Sequence, residues 1–342
     1  MVYVFENLIK TTIVCSLAIC LLLFLKRYLF KKFSKRFNYY IWLIIVFRML
    51  LFLFNYTIVY EVKEPKENAV GNNITQIDIS TDNNLMLYVA YLWLFITIVI
   101  AVYTFIKYTR FKNLVVDVSY DIEDNDINCI YKNLLKELNV KKKIELRGSD
   151  ELISPAGMGL FKSYIFLPDY PYSKDELTWI LKHELMHFKN KDILIKFLML
   201  SVKIIYWFNP LVYIMSNKVN LDCELCCDES VLTECSLKDK KEYALALIKS
   251  IKLSNNYNSG ILTTEFNKTS LEKRLDSIVK KKGKSGILVL LILFTLFSVT
   301  YFNFESISFD NPNFLRNMGI LEKSGANLRE EYDYNMKIVY PN

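Results

Sequence analysis

Leu181-Lys182-His183-Glu184-Leu185-Met186-His187-Phe188 holds both histidines of the chain, in the order H-E-x-x-H. On a helix, positions i and i+4 share a face one turn apart, so His183 and His187 can bring two imidazole nitrogens to one ion. Glu184 is rotated by about 100° from His183, beside the open coordination position, where a carboxylate can take a proton from water. The competing reading is a helix with two polar imidazoles placed by accident. In a chain so poor in histidine that coincidence is on the order of one in a thousand. Zn2+ is the ion this spacing predicts.

The flanking residues predict that helix. Ser173-Lys174-Asp175-Glu176 reads as a capping box, in which a hydroxyl and a carboxylate satisfy free N–H groups at the helix start. Asp175 and Glu176 suit the positive end of the helix dipole. Leu177, Ile180, Leu181 and Leu185 supply an apolar stripe at helical spacing.

The rest of the chain is apolar: 52% of its 342 residues are hydrophobic and 15% aromatic, with a mean hydropathy of +0.18. That excludes an ordinary soluble enzyme, while 23% charged residues exclude a purely membrane-embedded chain. The net charge of +7 is concentrated in runs that abut long apolar stretches. Those runs are topology signals, so a lipid bilayer is the expected partner and direct nucleic-acid binding is not expected.

Four stretches are long and apolar enough to span: Leu8–Leu25, Tyr39–Val59, Leu85–Ile106 and Gly286–Phe304. The first starts too near the N-terminus for a basic n-region and has no clear cleavage site, so it is an uncleaved anchor. Lys26, Arg27, Lys31, Lys32, Lys35 and Arg36 follow it without an acid, which makes that loop cytoplasmic. Residues 61–84 are acidic on balance and face out. Lys107, Arg110 and Lys112 after the third span, and Lys280, Lys281, Lys282 and Lys284 before the fourth, place the long segment between them in the cytosol. The expected protein is therefore a multi-pass plasma-membrane protein with both termini outside. Its parts are residues 1–112 with three spans, 113–284 as a cytosolic domain, 285–304 as the fourth span and 305–342 as a short outer tail. None of the seven cysteines falls in an outer loop, so no disulfide framework is expected. Arg48, inside the second span, is either functional or packed toward the bundle on a backbone carbonyl.

Within the cytosolic segment, Asn128–Leu138 has helical spacing, Lys143–Arg147 reads as a strand, and Ser154–Phe161 and Tyr164–Pro168 are strand-like. The last two fit either an ordinary hairpin or the exposed edge on which an extended peptide can pair. Ile193–Met215 passes as a fifth span by hydropathy. One crossing there would carry any later ligand to the wrong side of the bilayer, so a core helix or an interfacial hairpin turning at Pro210 is expected.

A catalytic zinc usually takes three protein ligands and a water. Glu224 and Asp228 lie i, i+4 in Asn220–Glu229 and could supply a ligating carboxylate and a second one supporting a ligand imidazole. Spacing leaves open a solvated amphipathic face instead. Cys223-x-x-Cys226-Cys227 is either a second metal site or a set of half-buried thiols.

His183–Lys189 with Asp192, Asn209-Pro210-Leu211-Val212-Tyr213 and Glu224–Leu232 together resemble the membrane zinc peptidases of the BlaR/MecR type. Ser154-Pro155, Gly159–Lys162, Ile165–Pro168, Tyr243-Ala244 and Lys273-Arg274-Leu275 are similar to further parts of that pattern, over about residues 1–305. The resemblance implies an α-helical membrane protein of four transmembrane helices with an inserted cytosolic α+β gluzincin-type metalloprotease domain. It implies His183, His187 and Glu224 as zinc ligands, Glu184 as general base, and Asp228 and Asp192 as supporting residues. It also implies a signal-transducing receptor that hydrolyses a cytosolic transcriptional repressor, itself, or both. A peptide or protein substrate and a homodimer are the corresponding partners. Members that sense β-lactams continue into a large penicillin-binding domain. Here Glu305–Asn342 carries no S-x-x-K motif, so that sensor is expected to be lacking.

Hydrolysis by zinc-activated water with Glu184 as base is the expected mechanism. With no third histidine, extra donors to an oxyanion must be tyrosine, basic, amide or backbone groups. A constitutive quality-control protease and a non-proteolytic receptor with a structural zinc domain are the rival readings. The intact Glu184 argues against the second.

Overall fold

The computed structural model describes residues 1–53, 56–61, 83–150, 152–257, 261–280, 283–287, 289–290, 302–307 and 337–339. The protein is mostly helical, with two small sheets. Two helices among the described residues are long and apolar enough to cross a membrane. They are α1 (Val2–Tyr28) and most of α3 (Asn83–Asp117). Lipid-type side chains such as Leu17, Leu21, Phe95 and Phe105 are exposed along them.

The second expected span differs. α2 (Lys35–Leu50) starts four residues early because Ser34 caps it, its hydroxyl accepting from Phe37 N at 3.2 Å. It ends at Leu50, and Tyr56–Glu61 forms strand β1 instead of continuing the helix. Sixteen residues reach about 24 Å, short of a hydrocarbon core of about 30 Å. Hydropathy counted apolar residues there that α1 and the later helices cover. Arg48 points into the bundle and donates to Thr11 Oγ1 on α1 at 3.2 Å. Most of the expected fourth span lies outside the described residues. Its end, with the first residues of the tail, is strand β6 (Phe302–Ile307), which pairs in parallel with β1, and β7 (Lys337–Val339) pairs antiparallel on the other edge.

α3 runs without a break past Ile106, and its end covers one face of a second sheet. That sheet is β2 (Tyr120–Asp121), β3 (Ile144–Gly148), β5 (Ser163–Leu167) and β4 (Ala156–Met158), in that spatial order. β5 is central and buried throughout, because it is covered on both faces. Tyr164 and Phe166 meet Val115 of α3, while Ile165 and Leu167 join the core formed with α4 (Asn125–Glu137) and α5 (Lys174–Lys189). β4 is the edge strand on the side of β5.

The apolar run after α5 is a helical hairpin, α6 (Asp192–Ile205) and α7 (Pro210–Val231), turning at Asn209-Pro210. Asn209 caps α7 by accepting from Leu211 N at 3.0 Å, and Pro210 suits the first helical turn. Three bonds fix the tip: Asn209 Nδ2 donates to Ser16 Oγ at 2.9 Å, Tyr206 Oη to Met49 O at 2.9 Å and Trp93 Nε1 to Ile205 O at 3.1 Å. Ser16 lies midway along α1, so the hairpin reaches half the height of that helix and returns. One core joins Ile19, Trp42, Val46, Met49, Val202, Met215 and Val219 from α1, α2, α6 and α7.

Candidate metal centre

α5 begins as its sequence requires: Ser173 Oγ accepts from Glu176 N at 3.3 Å and Glu176 Oε2 from Ser173 N at 2.8 Å. Leu177, Leu181 and Leu185 are buried on the sheet side. That orientation turns His183 and Glu184 toward a cleft whose volume is about 410 Å³. The helix stops at Asn190, Lys191 takes a left-handed φ of 61°, and Asp192 becomes the first residue of α6. This tight reversal brings Asp192 Oδ2 to 2.7 Å from His187 Nδ1, with Asp192 fully buried.

α7 returns beside α5 and delivers Glu224. The two histidine Nε2 atoms are 3.2 Å apart, and Glu224 Oε2 and Oε1 lie 3.4 and 3.6 Å from the Nε2 of His183 and His187. Ligands at 2.0–2.1 Å from a tetrahedral zinc are separated by about 3.3 Å. The imidazole pair is at that spacing and the Glu224 carboxylate turns one oxygen toward each ring, so two imidazoles and a carboxylate converge and their chemistry fits zinc. Cysteine sulfurs are also close: Cys227 Sγ is 3.4 Å from His183 Nδ1 and Cys223 Sγ 3.9 Å from His187 Nδ1. Combined with the histidines, and for Cys223 with Asp192, they too form groups of potential donors. They sit on the Nδ1 side, away from the Nε2 atoms that meet Glu224.

Around His183, Asp228 is joined by two residues whose roles the sequence did not assign, and one of them, Arg274, also brings Nη2 to 3.4 Å from His183 Nε2. Tyr243 Oη, on α8 (Leu237–Tyr257), lies 2.9 Å from His183 Nδ1 and donates to Asp228 Oδ1. Arg274, on α9 (Ile261–Val279), donates to both Asp228 oxygens at 2.7 and 2.8 Å and pairs with Glu224 Oε2 at 3.1 Å. When Nε2 gives its lone pair to a metal, Nδ1 must carry the ring proton, so His183 donates to Tyr243, and Tyr243 to Asp228. His187 donates likewise to Asp192. Tyr243-Ala244 and Lys273-Arg274 were visible only as parts of a family pattern, because their chemistry depends on α8 and α9 packing over the site.

The electrostatics favour a cation. Burial alone would push the Glu224 carboxyl up, but Arg274 and the two imidazoles outweigh it and hold it well below the usual carboxylate range. Burial opposes charge on the imidazoles, and the neighbouring Cys227 and Glu224 reverse that and raise both. A proton or a metal ion can meet this demand. Ser154 and Pro155, with Ala156 and Gly157 at the start of β4, line the same cleft as Glu184. Gly157 has no side chain to separate β4 from α5: a Cβ there would lie 2.8 Å from Phe188 Cε2 and 3.5 Å from Glu184 Oε2.

The model for the BlaR1 peptidase M56 family matches residues 6–278. This chain belongs to that family. Among curated relatives, the regulatory protein BlaR1 of Bacillus licheniformis is 28% identical over 183 residues, covering 50% of this chain and 30% of the relative. The methicillin resistance mecR1 protein of Staphylococcus aureus is 29% identical over 181 residues, covering 52% and 30%. BlaR1 of Staphylococcus aureus is 28% identical over 212 residues, covering 60% and 36%. The chain thus spans about a third of the length of these relatives. The matched residues 6–278 include α5 and α7, which carry this centre.

Proposed function

We propose that the protein is a membrane-embedded zinc metalloendopeptidase with His183, His187 and Glu224 as zinc ligands and Glu184 as general base. The observation that carries this is the convergence of two Nε2 atoms 3.2 Å apart with the Glu224 carboxylate, whose two oxygens lie 3.4 and 3.6 Å from them, beside a glutamate lining a peptide-sized cleft. Zinc, when bound, supplies a Lewis acid that polarises the scissile carbonyl and makes its water more acidic. Glu184 takes the proton of the attacking water and passes it to the leaving amine as the peptide bond breaks. The open backbone of β4 lays the substrate chain across the cleft by main-chain pairing, which gives affinity without fixing sequence. Asp228, Tyr243 and Arg274 hold His183 in one orientation and tautomer, and Asp192 does the same for His187. In Arg274 the cleft also has a basic donor of the kind that an oxyanion needs.

The wider reading is a multi-pass membrane receptor with its termini outside and the gluzincin-type peptidase domain of residues 113–284 in the cytosol. It cuts a cytosolic transcriptional repressor, itself, or both. Support comes from the regulatory names of the relatives, the basic flanks of the apolar segments, and the parallel pairing of β1 and β6, which joins the chain after α2 to the chain after the last apolar stretch. The test uses purified full chain. Glu184→Gln is expected to keep one zinc per chain and lose hydrolysis by about 100-fold or more, while Glu224→Gln loses the zinc itself. Retained cleavage in the Glu184 variant would end its assignment as base. Proteomics of a deletion strain separates a receptor, which alters one repressor, from a housekeeping protease, which alters many membrane proteins.

A further inference from the structure

Two basic runs, residues 26–36 and 280–284, are about 250 positions apart in the chain, and the described part of the second, at Gly283 and Lys284, lies beside the first in the fold. Lys284 N donates to Lys32 O at 2.9 Å, and Ser34 N donates to Lys284 O at 3.0 Å, a parallel bridge that ties the α1–α2 turn to the segment after α9. Gly283 permits this approach, since a Cβ there would fall 2.4 Å from the Phe33 carbonyl. Behind the bridge lies a second cavity of about 370 Å³, walled by the turn, α7, the start of α8 and the end of α9.

Four lysines line it: Lys31, Lys35, Lys240 and Lys280. Lys280 is paired with Asp276, whereas Lys31, Lys35 and Lys240 have no carboxylate within ion-pair distance among the described residues. The wall also carries Asp228, Glu229 and Glu234. Both Asp228 oxygens accept from Arg274, and Glu229 accepts the backbone N–H groups of Lys35 and Arg36 at 3.2 Å each. Thr233 and Ser277 also line it, their hydroxyls donating to Glu229 O and Arg274 O at 3.0 and 2.9 Å. Three ammonium groups without an ion pair therefore face two carboxylates, Glu229 and Glu234, and this positive balance around a cavity is the chemistry of a phosphate site. It also lies at the end of a membrane-type helix, next to the exposed Tyr28 and Leu29 and just before the apolar stretch that starts at Gly286. Basic pockets at that depth meet lipid headgroups.

We propose that this cavity binds a phosphate-bearing anion, presented to it as the headgroup of an anionic phospholipid. The site is separate from the metal centre, and its test does not depend on peptide hydrolysis. Full chain is placed in nanodiscs of phosphatidylcholine with increasing phosphatidylglycerol, and hydrogen exchange is followed over residues 29–36 and 274–280. Phosphatidylglycerol is expected to slow exchange there, and Lys31→Gln, Lys35→Gln and Lys240→Gln are each expected to weaken its apparent affinity roughly fivefold. Lys107→Gln with Lys112→Gln, on α3 and outside the cavity, is the control and should keep the full effect. Equal melting temperatures in pure phosphatidylcholine show that the variants are folded. No slowing with phosphatidylglycerol, or equal loss in the α3 control, overturns the proposal. Slowing by inorganic phosphate in pure phosphatidylcholine supports the phosphate site and assigns it to a soluble anion instead of a lipid.

Discussion

Asp222, two residues before Glu224 on α7, is ion-paired with Lys26 at the last turn of α1. The pair is largely buried, at 13% and 15% side-chain exposure, and Trp42 Nε1 of α2 donates to the same carboxylate oxygen at 2.7 Å. The helix that carries the acidic donor of the metal centre is thereby fastened to the membrane helices within one turn of that donor. Asp222→Asn leaves the Lys26 ammonium buried without a counter-charge, and a loss of the order of 3 kcal/mol is expected. Trp42→Phe removes one hydrogen bond, for about 1 kcal/mol. Thermal unfolding in detergent, with zinc release followed in parallel, should rank the two in that order. Equal effects would show that the ion pair does not hold α7.

Tyr243→Phe keeps the ring but removes both the acceptor for His183 Nδ1 and the donor to Asp228. Zinc affinity, measured by competition with a chelator, should fall by about 10- to 100-fold. Asp192→Asn should act similarly through His187. Unchanged affinity in both variants would mean that the imidazoles are oriented by packing alone.

Gly157→Ala places a methyl group against the Phe188 ring edge and beside Glu184. The ring or β4 must shift, at a cost of about 1–3 kcal/mol. Displacing the edge strand should also lower kcat/KM on a peptide substrate more than the change in folded fraction explains. A variant that loses stability with unchanged kcat/KM would place the substrate elsewhere than on β4.

Glu176 gives a pH dependence whose sign is fixed. Burial pushes its carboxyl up, but Lys249 at 2.6 Å and the Ser173 N–H outweigh burial and lower it. A carboxyl lowered by folding stabilises the protein above its unfolded value, about 4.3, and that contribution fades as pH falls through the folded value. The melting-temperature gap between the parent and Glu176→Gln should therefore be constant from pH 7 to pH 5 and close below about pH 4. A gap that widened on acidification would contradict the capping role.

Much of the centre was legible because its causes are local. Capping of α5, the i, i+4 histidines and the apolar stripe act within one or two turns, so Ser173 to Phe188 can be read without knowing the rest of the fold. The hairpin of α6 and α7 was legible for a similar reason, since Asn209-Pro210 caps and starts a helix by its own chemistry. The end of α2 was not legible. An apolar run gives its hydropathy but not whether lipid or protein covers it, and the pairing of β1 with a strand more than 200 residues away stopped the helix early. Tyr243 and Arg274 lie 60 and 91 residues from His183, and no periodicity links them to it.

The sequence by itself determined the chemistry on offer: two imidazoles and a glutamate on one helix, a carboxylate pair further on, and basic residues at the ends of apolar segments. Only the tertiary structure decided which atoms meet. A turn of helix fixes neighbours to within a few ångströms, whereas the convergence of α5, α7, α8 and α9 depends on how their apolar faces pack, and that information is spread over the whole core.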